Sequence, residues 1–68
     1  MFKTIIERDG AFYLVSTTDV LFSGWETLVF PCRRDGEVTD WCELDGYRYG
    51  DQQEATAGHK RFVETFRP

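Results

Sequence analysis

Residues 26–63 read ETLVFPCRRDGEVTDWCELDGYRYGDQQEATAGHKRFV, and this stretch decides the fold. Asp35-Gly36 sits between two runs of β-type residues. Such a pair is a strong hairpin signal, because both central positions of a tight two-residue turn need positive φ. A third strand is expected over 25–31 and a fourth over 37–42. Pro31 cannot donate a ladder hydrogen bond and so marks a strand end or an edge. In the two-residue register Phe30 lies opposite Trp41, a cross-strand aromatic pair that assigns Trp41 to the core. The segment ELDGYRYG reads either as a loop or as a short fifth strand around Tyr47–Tyr49.

Asp51 then opens a helix. Glu54 follows at the capping-box spacing, and both acids suit the positive end of a helix. At 100° per residue, Ala55, His59, Phe62, Val63 and Phe66 share one face, which should lie on the sheet. Gly58 borders that face. A glycine there costs up to about 1 kcal/mol against alanine, which a close approach of helix to sheet would explain.

Working toward the N-terminus, Asp9-Gly10 separates FKTIIER from AFYLVST and predicts a hairpin of strands 2–8 and 11–17. On that pairing Ile5 faces Leu14 and Ile6 faces Tyr13. Both faces carry apolar residues, so the pattern does not choose the core side. Residues 18–24, TDVLFSG, read as a connection with three consecutive apolar side chains, Val20 to Phe22. It either packs back on the sheet or offers a contact patch.

The fold class that follows is α+β. An antiparallel sheet of four strands, or five with Tyr47–Tyr49, carries one C-terminal helix packed on one face. Residues 1–68 make a single small domain. A chain of this size buries only about 60% of its unfolded surface, which leaves a thin core. Eleven aromatics help to fill it.

Composition narrows the function classes. Twelve acidic residues against eight basic ones give a net charge of −4. Nucleic acid is a poor partner for such a chain, since backbone binding needs a clustered basic face. No run reaches the roughly 20 apolar residues of a membrane span. The segment after Met1 reaches Glu7 and Arg8 before any apolar run, so it does not read as a secretory signal, and a cytoplasmic location is expected. Cys32 and Cys42 lie on opposite faces in the two-residue register. One-residue slips leave them about 13 Å apart along the strand, too far for a bridge.

The segments YLVST, ETLVFP, DGEVTDW, ELDGYRY and EATAGHKRFV resemble a family of small proteins encoded mainly by bacteriophages of actinobacteria and related bacterial genomes. The resemblance covers most of residues 13–63. It implies a sheet with one C-terminal helix and a place in the host cytoplasm. It implies no activity. Family members often carry a longer insertion where this chain has only TDVLFSGW.

Candidate residues fall into two groups. His59 could serve as a general base or ligand near Asp40, Asp45 or the tyrosines. Its angular position instead favours a packed ring with one hydrogen bond, so His59, Gly58, Trp41 and Phe62 are expected to be structural. Phe22, Trp25, Arg33 and Arg34 are the candidates for protein contact. Spacing argues against a zinc site at Cys32, Cys42 and His59, which lack the close cysteine pair such sites use. No cofactor is expected, and no nucleophile motif or phosphate loop occurs, so the chain is not expected to be an enzyme. The expected function is a non-catalytic protein-binding module, phage-encoded, that modulates a host or defence protein. Two alternatives stand beside it: a homodimer joined through a sheet edge or the Phe22–Trp25 patch, and a nucleic-acid regulator using Arg33, Arg34 and Arg48.

Overall fold

The computed structural model describes residues 1–21 and 24–67. Phe22, one of the expected contact residues, lies outside that range. The chain forms β1 (Phe2–Arg8), β2 (Ala11–Val20), β3 (Gly24–Cys32), β4 (Asp45–Tyr49) and α1 (Gln52–Phe66). The strands pair antiparallel in the order β1-β2-β3-β4, and the helix crosses one face of the sheet. The protein is therefore α+β.

The first hairpin follows from two residues. Asp9 and Gly10 have φ of 53° and 82°, the double positive φ that a two-residue turn requires. Ile5 consequently faces Leu14 and Ile6 faces Tyr13. β2 runs three residues further than expected, because Thr18, Asp19 and Val20 pair with Glu26, Trp25 and Gly24. Thr and Val are well suited to strands, and here they extend the second hairpin almost to its turn.

The strand expected over 37–42 does not form, for two reasons. The turn at Asp35-Gly36 has a different geometry. Only Gly36, at φ 90°, is left-handed. Its N–H bonds to the Arg33 carbonyl at 2.9 Å, and the Arg33 N–H bonds to the Glu37 carbonyl at 2.9 Å. These bonds define a three-residue loop with a glycine bulge, which brings Cys32 opposite Val38. Asp40 then ends the pairing. Its Oδ1 accepts from the Cys42 N–H at 2.9 Å, an Asx turn that competes with the ladder. The chain leaves the sheet and rejoins it where the Leu44 N–H reaches the Val29 carbonyl at 2.8 Å. The last strand is thus 45–49, the segment expected to be a loop or a fifth strand.

Trp41 is displaced by the same interruption. Its ring still meets Phe30 edge-on at 5.2 Å, but it is 72% exposed and lies on the outside of the protein, not in the core.

Both faces of the sheet carry apolar residues because both are covered. On the helix side, Ile6, Val15, Val29 and Val63 form the core, with Tyr13, Phe62 and Phe66 packed around them. On the other side Leu14, Phe30 and Cys32 are buried. The excursion between β3 and β4 lies over that side. Arg34 sits above the Phe12 ring at 5.4 Å, and Gly36 lies against Ile5.

The helix begins as its sequence dictates. The Asp51 Oδ1 accepts from the Glu54 N–H at 2.8 Å, and the Glu54 Oε2 reaches back to the Gly50 N–H at 3.3 Å. A cap of this kind stabilises a helix by about 1 kcal/mol.

Alanine at the two turn glycines tests the left-handed backbone each turn requires. Gly10→Ala meets no neighbour and should cost about 1–2 kcal/mol through its left-handed backbone alone. Gly36→Ala incurs the same strain, and its Cβ meets only the end of the exposed Ile5 side chain, which can turn aside, so it should cost a similar amount. Urea unfolding of the two variants gives the comparison, and no loss at either position would contradict the strain.

Candidate functional site

Two parts of the molecule gather chemically interesting side chains. The first lies between sheet and helix. Thr17 and Thr27 face each other across β2 and β3 and are fully buried. Their hydroxyls are 2.6 Å apart. Thr17 Oγ1 is also 2.7 Å from His59 Nδ1, and Thr4 Oγ1 is 2.9 Å from His59 Nε2. One imidazole therefore ties the helix to β1 and β2, and through Thr27 to β3. The expected packed histidine is present, with two hydroxyl partners where one was expected. Phe2 covers the ring at 5.7 Å and itself stacks on Trp25 at 6.1 Å.

A neutral imidazole has one N–H and one acceptor nitrogen, and hydroxyls can do either job. All these groups can be satisfied together while His59 is neutral. Burial holds its pKa below the usual histidine value of 6.5. The Thr17 hydroxyl beside a histidine has the form of a nucleophile and base. Yet Thr17 has no exposed surface, so a solute cannot reach it.

Gly58 and Tyr49 complete this layer. Tyr49 is buried, and its ring lies directly against Gly58, where any Cβ would overlap Cε1, Cζ and the hydroxyl. That contact is the close approach the helix glycine implied. The Tyr49 hydroxyl has no hydrogen-bond partner among the described residues. Phe62 is half-buried beside the core.

The second part is on the surface. Trp41 is joined by Leu44, 55% exposed, and Tyr47, 63% exposed. They occupy the end of the excursion and the outer strand β4, whose far edge pairs with nothing among the described residues. Trp41 lies on the Phe30 side of the sheet, and Tyr47 lies beside Tyr49 at 5.2 Å on the helix side. Of the expected contact residues, Trp25 is half-buried in its stack with Phe2, while Arg33 and Arg34 are exposed at the turn. Arg48 pairs with Glu26 at 3.1 Å.

Sequence reasoning found His59, Gly58 and Phe62 through helix periodicity. It missed Thr4, Thr17 and Thr27, because threonines in strands carry no signal until the register is known. It also missed Leu44, whose exposure depends on the broken strand. Cys32 is buried and Cys42 exposed, and both are free thiols. Burial, with the Asp35 carboxylate nearby, pushes the Cys32 thiol up. Among the described residues, no three His, Cys, Asp or Glu side chains converge as a metal site requires.

These features define a four-stranded antiparallel meander with a C-terminal helix clamped through a buried histidine. Comparison of the chain with protein-family models, curated proteins and solved structures found no match.

Three outcomes follow. Gly58→Ala should destabilise by about 1–3 kcal/mol by overpacking, despite a helix-propensity gain of up to about 1 kcal/mol. In a Tyr49→Leu background the same change should be neutral or favourable, and an equal loss in both backgrounds would refute the contact. Tyr49→Phe should leave stability unchanged or raise it, since it removes a buried hydroxyl with no partner; thermal unfolding checks this. His59→Ala should cost about 1–3 kcal/mol, because Thr4 and Thr17 lose their imidazole partner and a cavity opens where the ring packed. The sign for pH is fixed by the lowered pKa. The folded state prefers neutral His59, so its contribution is complete above pH 6.5 and is lost as pH falls from there toward the folded-state pKa. His59 is the only histidine, so His59→Ala should remove that part of the pH slope in chemical denaturation.

Proposed function

We propose that this chain is a small protein-binding module that acts without catalysis on a host or defence protein. The observation that carries this reading is the exposure of Trp41, Leu44 and Tyr47, at the end of the excursion and on the outer strand β4, with Trp41 and Tyr47 on opposite faces of the sheet. Large apolar side chains left in solvent on a small protein mark contact sites, and aromatics dominate binding hot spots. The His59 layer, by contrast, is largely buried and has a sufficient role in joining helix to sheet. Phage origin rests on the resemblance of the motifs from YLVST to EATAGHKRFV, and the cytoplasmic location follows from it.

The contact surface proposed here differs from the Phe22–Trp25 patch suggested by the sequence. Trp25 already stacks on Phe2, whereas Trp41 has most of its ring in solvent.

Trp41→Ala should keep the folded state, since it removes only one edge contact with Phe30. Affinity capture from a host-cell lysate should then recover a partner with the wild-type chain and lose it with Trp41→Ala or Tyr47→Ala. Equal recovery by the folded variants would refute this surface as the binding site.

A further inference from the structure

Charge is divided unevenly along this chain. Seven of its twelve acidic residues fall between positions 35 and 54, against one base, Arg48. All seven are exposed. The remainder of the chain carries a small positive excess. With Arg33 and Arg34 at its start, the stretch that makes up the excursion, β4 and the start of α1 still carries seven acids against three bases, so its net charge is negative. Arg48 is paired with Glu26 at 3.1 Å, and Arg34 lies over the Phe12 ring.

The edge of β4 lies within this acidic region. An outer strand presents unpaired N–H and C=O groups, and proteins normally blunt such edges with lysine, proline, a bulge or a covering element. β4, with the sequence DGYRY, has no lysine or proline, and no described element covers its outer side. Gly46, its second residue, carries no side chain, and its N–H donates to the Asp45 Oδ1 at 2.8 Å. Trp41 stands over Phe30 of β3 on one face of the sheet, and Tyr47 of β4 projects on the other. An added strand would therefore find Tyr47 beside its backbone on the helix side.

We infer that β4 receives a basic extended segment of the partner protein as an added strand of the sheet. Main-chain hydrogen bonds to the edge would supply affinity. Alternating apolar side chains would meet Tyr47, and lysines or arginines between them would face Glu43, Asp45 and Asp51. The inference rests on the binding-module reading and adds the chemical class of the partner. Charge complementarity selects it over a second copy of the chain, whose identical acidic edge would bring like charges together.

Selection from a randomised dodecapeptide display library against the full chain tests this. The expected result is enrichment of peptides in which Lys or Arg alternates with apolar residues. Their affinity should fall as salt rises, and it should fall with Glu43→Lys, a substitution at an exposed side chain. N-methylation at alternate positions of an enriched peptide removes about two strand hydrogen bonds and should weaken binding at least about tenfold. Enrichment of acidic or neutral sequences, no enrichment, or indifference to N-methylation would each overturn strand addition. If lysate capture still depends on Trp41 in those cases, the binding function stands and only the partner class fails. If capture is indifferent to Trp41 as well, the binding function fails too.

Discussion

The fold depends on one imidazole. The apolar core on the helix side is small: Ile6, Val15, Val29 and Val63, with Ala55 and Tyr49 buried beside them, are little for a 15-residue helix to hold on to. His59 supplies what those residues cannot, namely direction. Its two nitrogens are matched to hydroxyls on β1 and β2, and Thr27 links the same network to β3. Apolar contacts tolerate sliding, but a ring with hydroxyls at both nitrogens accepts one position. The net gain from each such bond is only about 0.5–1.5 kcal/mol, whereas leaving a buried partner unmatched costs about 1–3 kcal/mol. The network therefore acts more by penalising other arrangements than by deepening this one.

Tyr49 and Gly58 work in the same layer through shape. The tyrosine ring takes the space that any other residue at position 58 would fill, so the helix settles closer to β4 there. Together the two contacts fix the helix at adjacent residues, one by hydrogen bonding and one by the absence of a side chain. The helix N-terminus, held by Asp51 and Glu54, then determines where β4 must end.

The parts of this fold legible in the sequence were those set by local chemistry. Asp9-Gly10 specifies a turn that needs nothing beyond its own backbone, and the register of β1 and β2 follows. Asp51 and the spacing of Ala55, His59, Phe62 and Val63 specify the helix and its buried face. The fourth strand was misplaced because two local signals competed. Val38 and Thr39 favour pairing, and they begin to pair, but the Asp40 side chain takes the Cys42 N–H and turns the chain away. Dipeptide signals do not show which of two neighbouring preferences wins. The surface candidates inherit this error. A strand through 37–42 would have put Trp41 inside, whereas the excursion leaves it outside with Leu44. The threonine network was hidden for another reason. It joins residues from three strands and a helix, and no single segment contains it.

The order of the strands has a consequence for how the chain closes. Every strand pairs with its neighbour in sequence, through two short loops and the longer excursion between β3 and β4, so closing the sheet costs little entropy beside the long-range contacts of the helix. The Thr4–His59 bond spans 55 residues and joins the first strand to the last element. The expense of closing the chain is concentrated in the docking of the helix. A loosened helix can therefore leave the meander paired behind it, so the sheet–helix seam is the natural line along which this small protein opens.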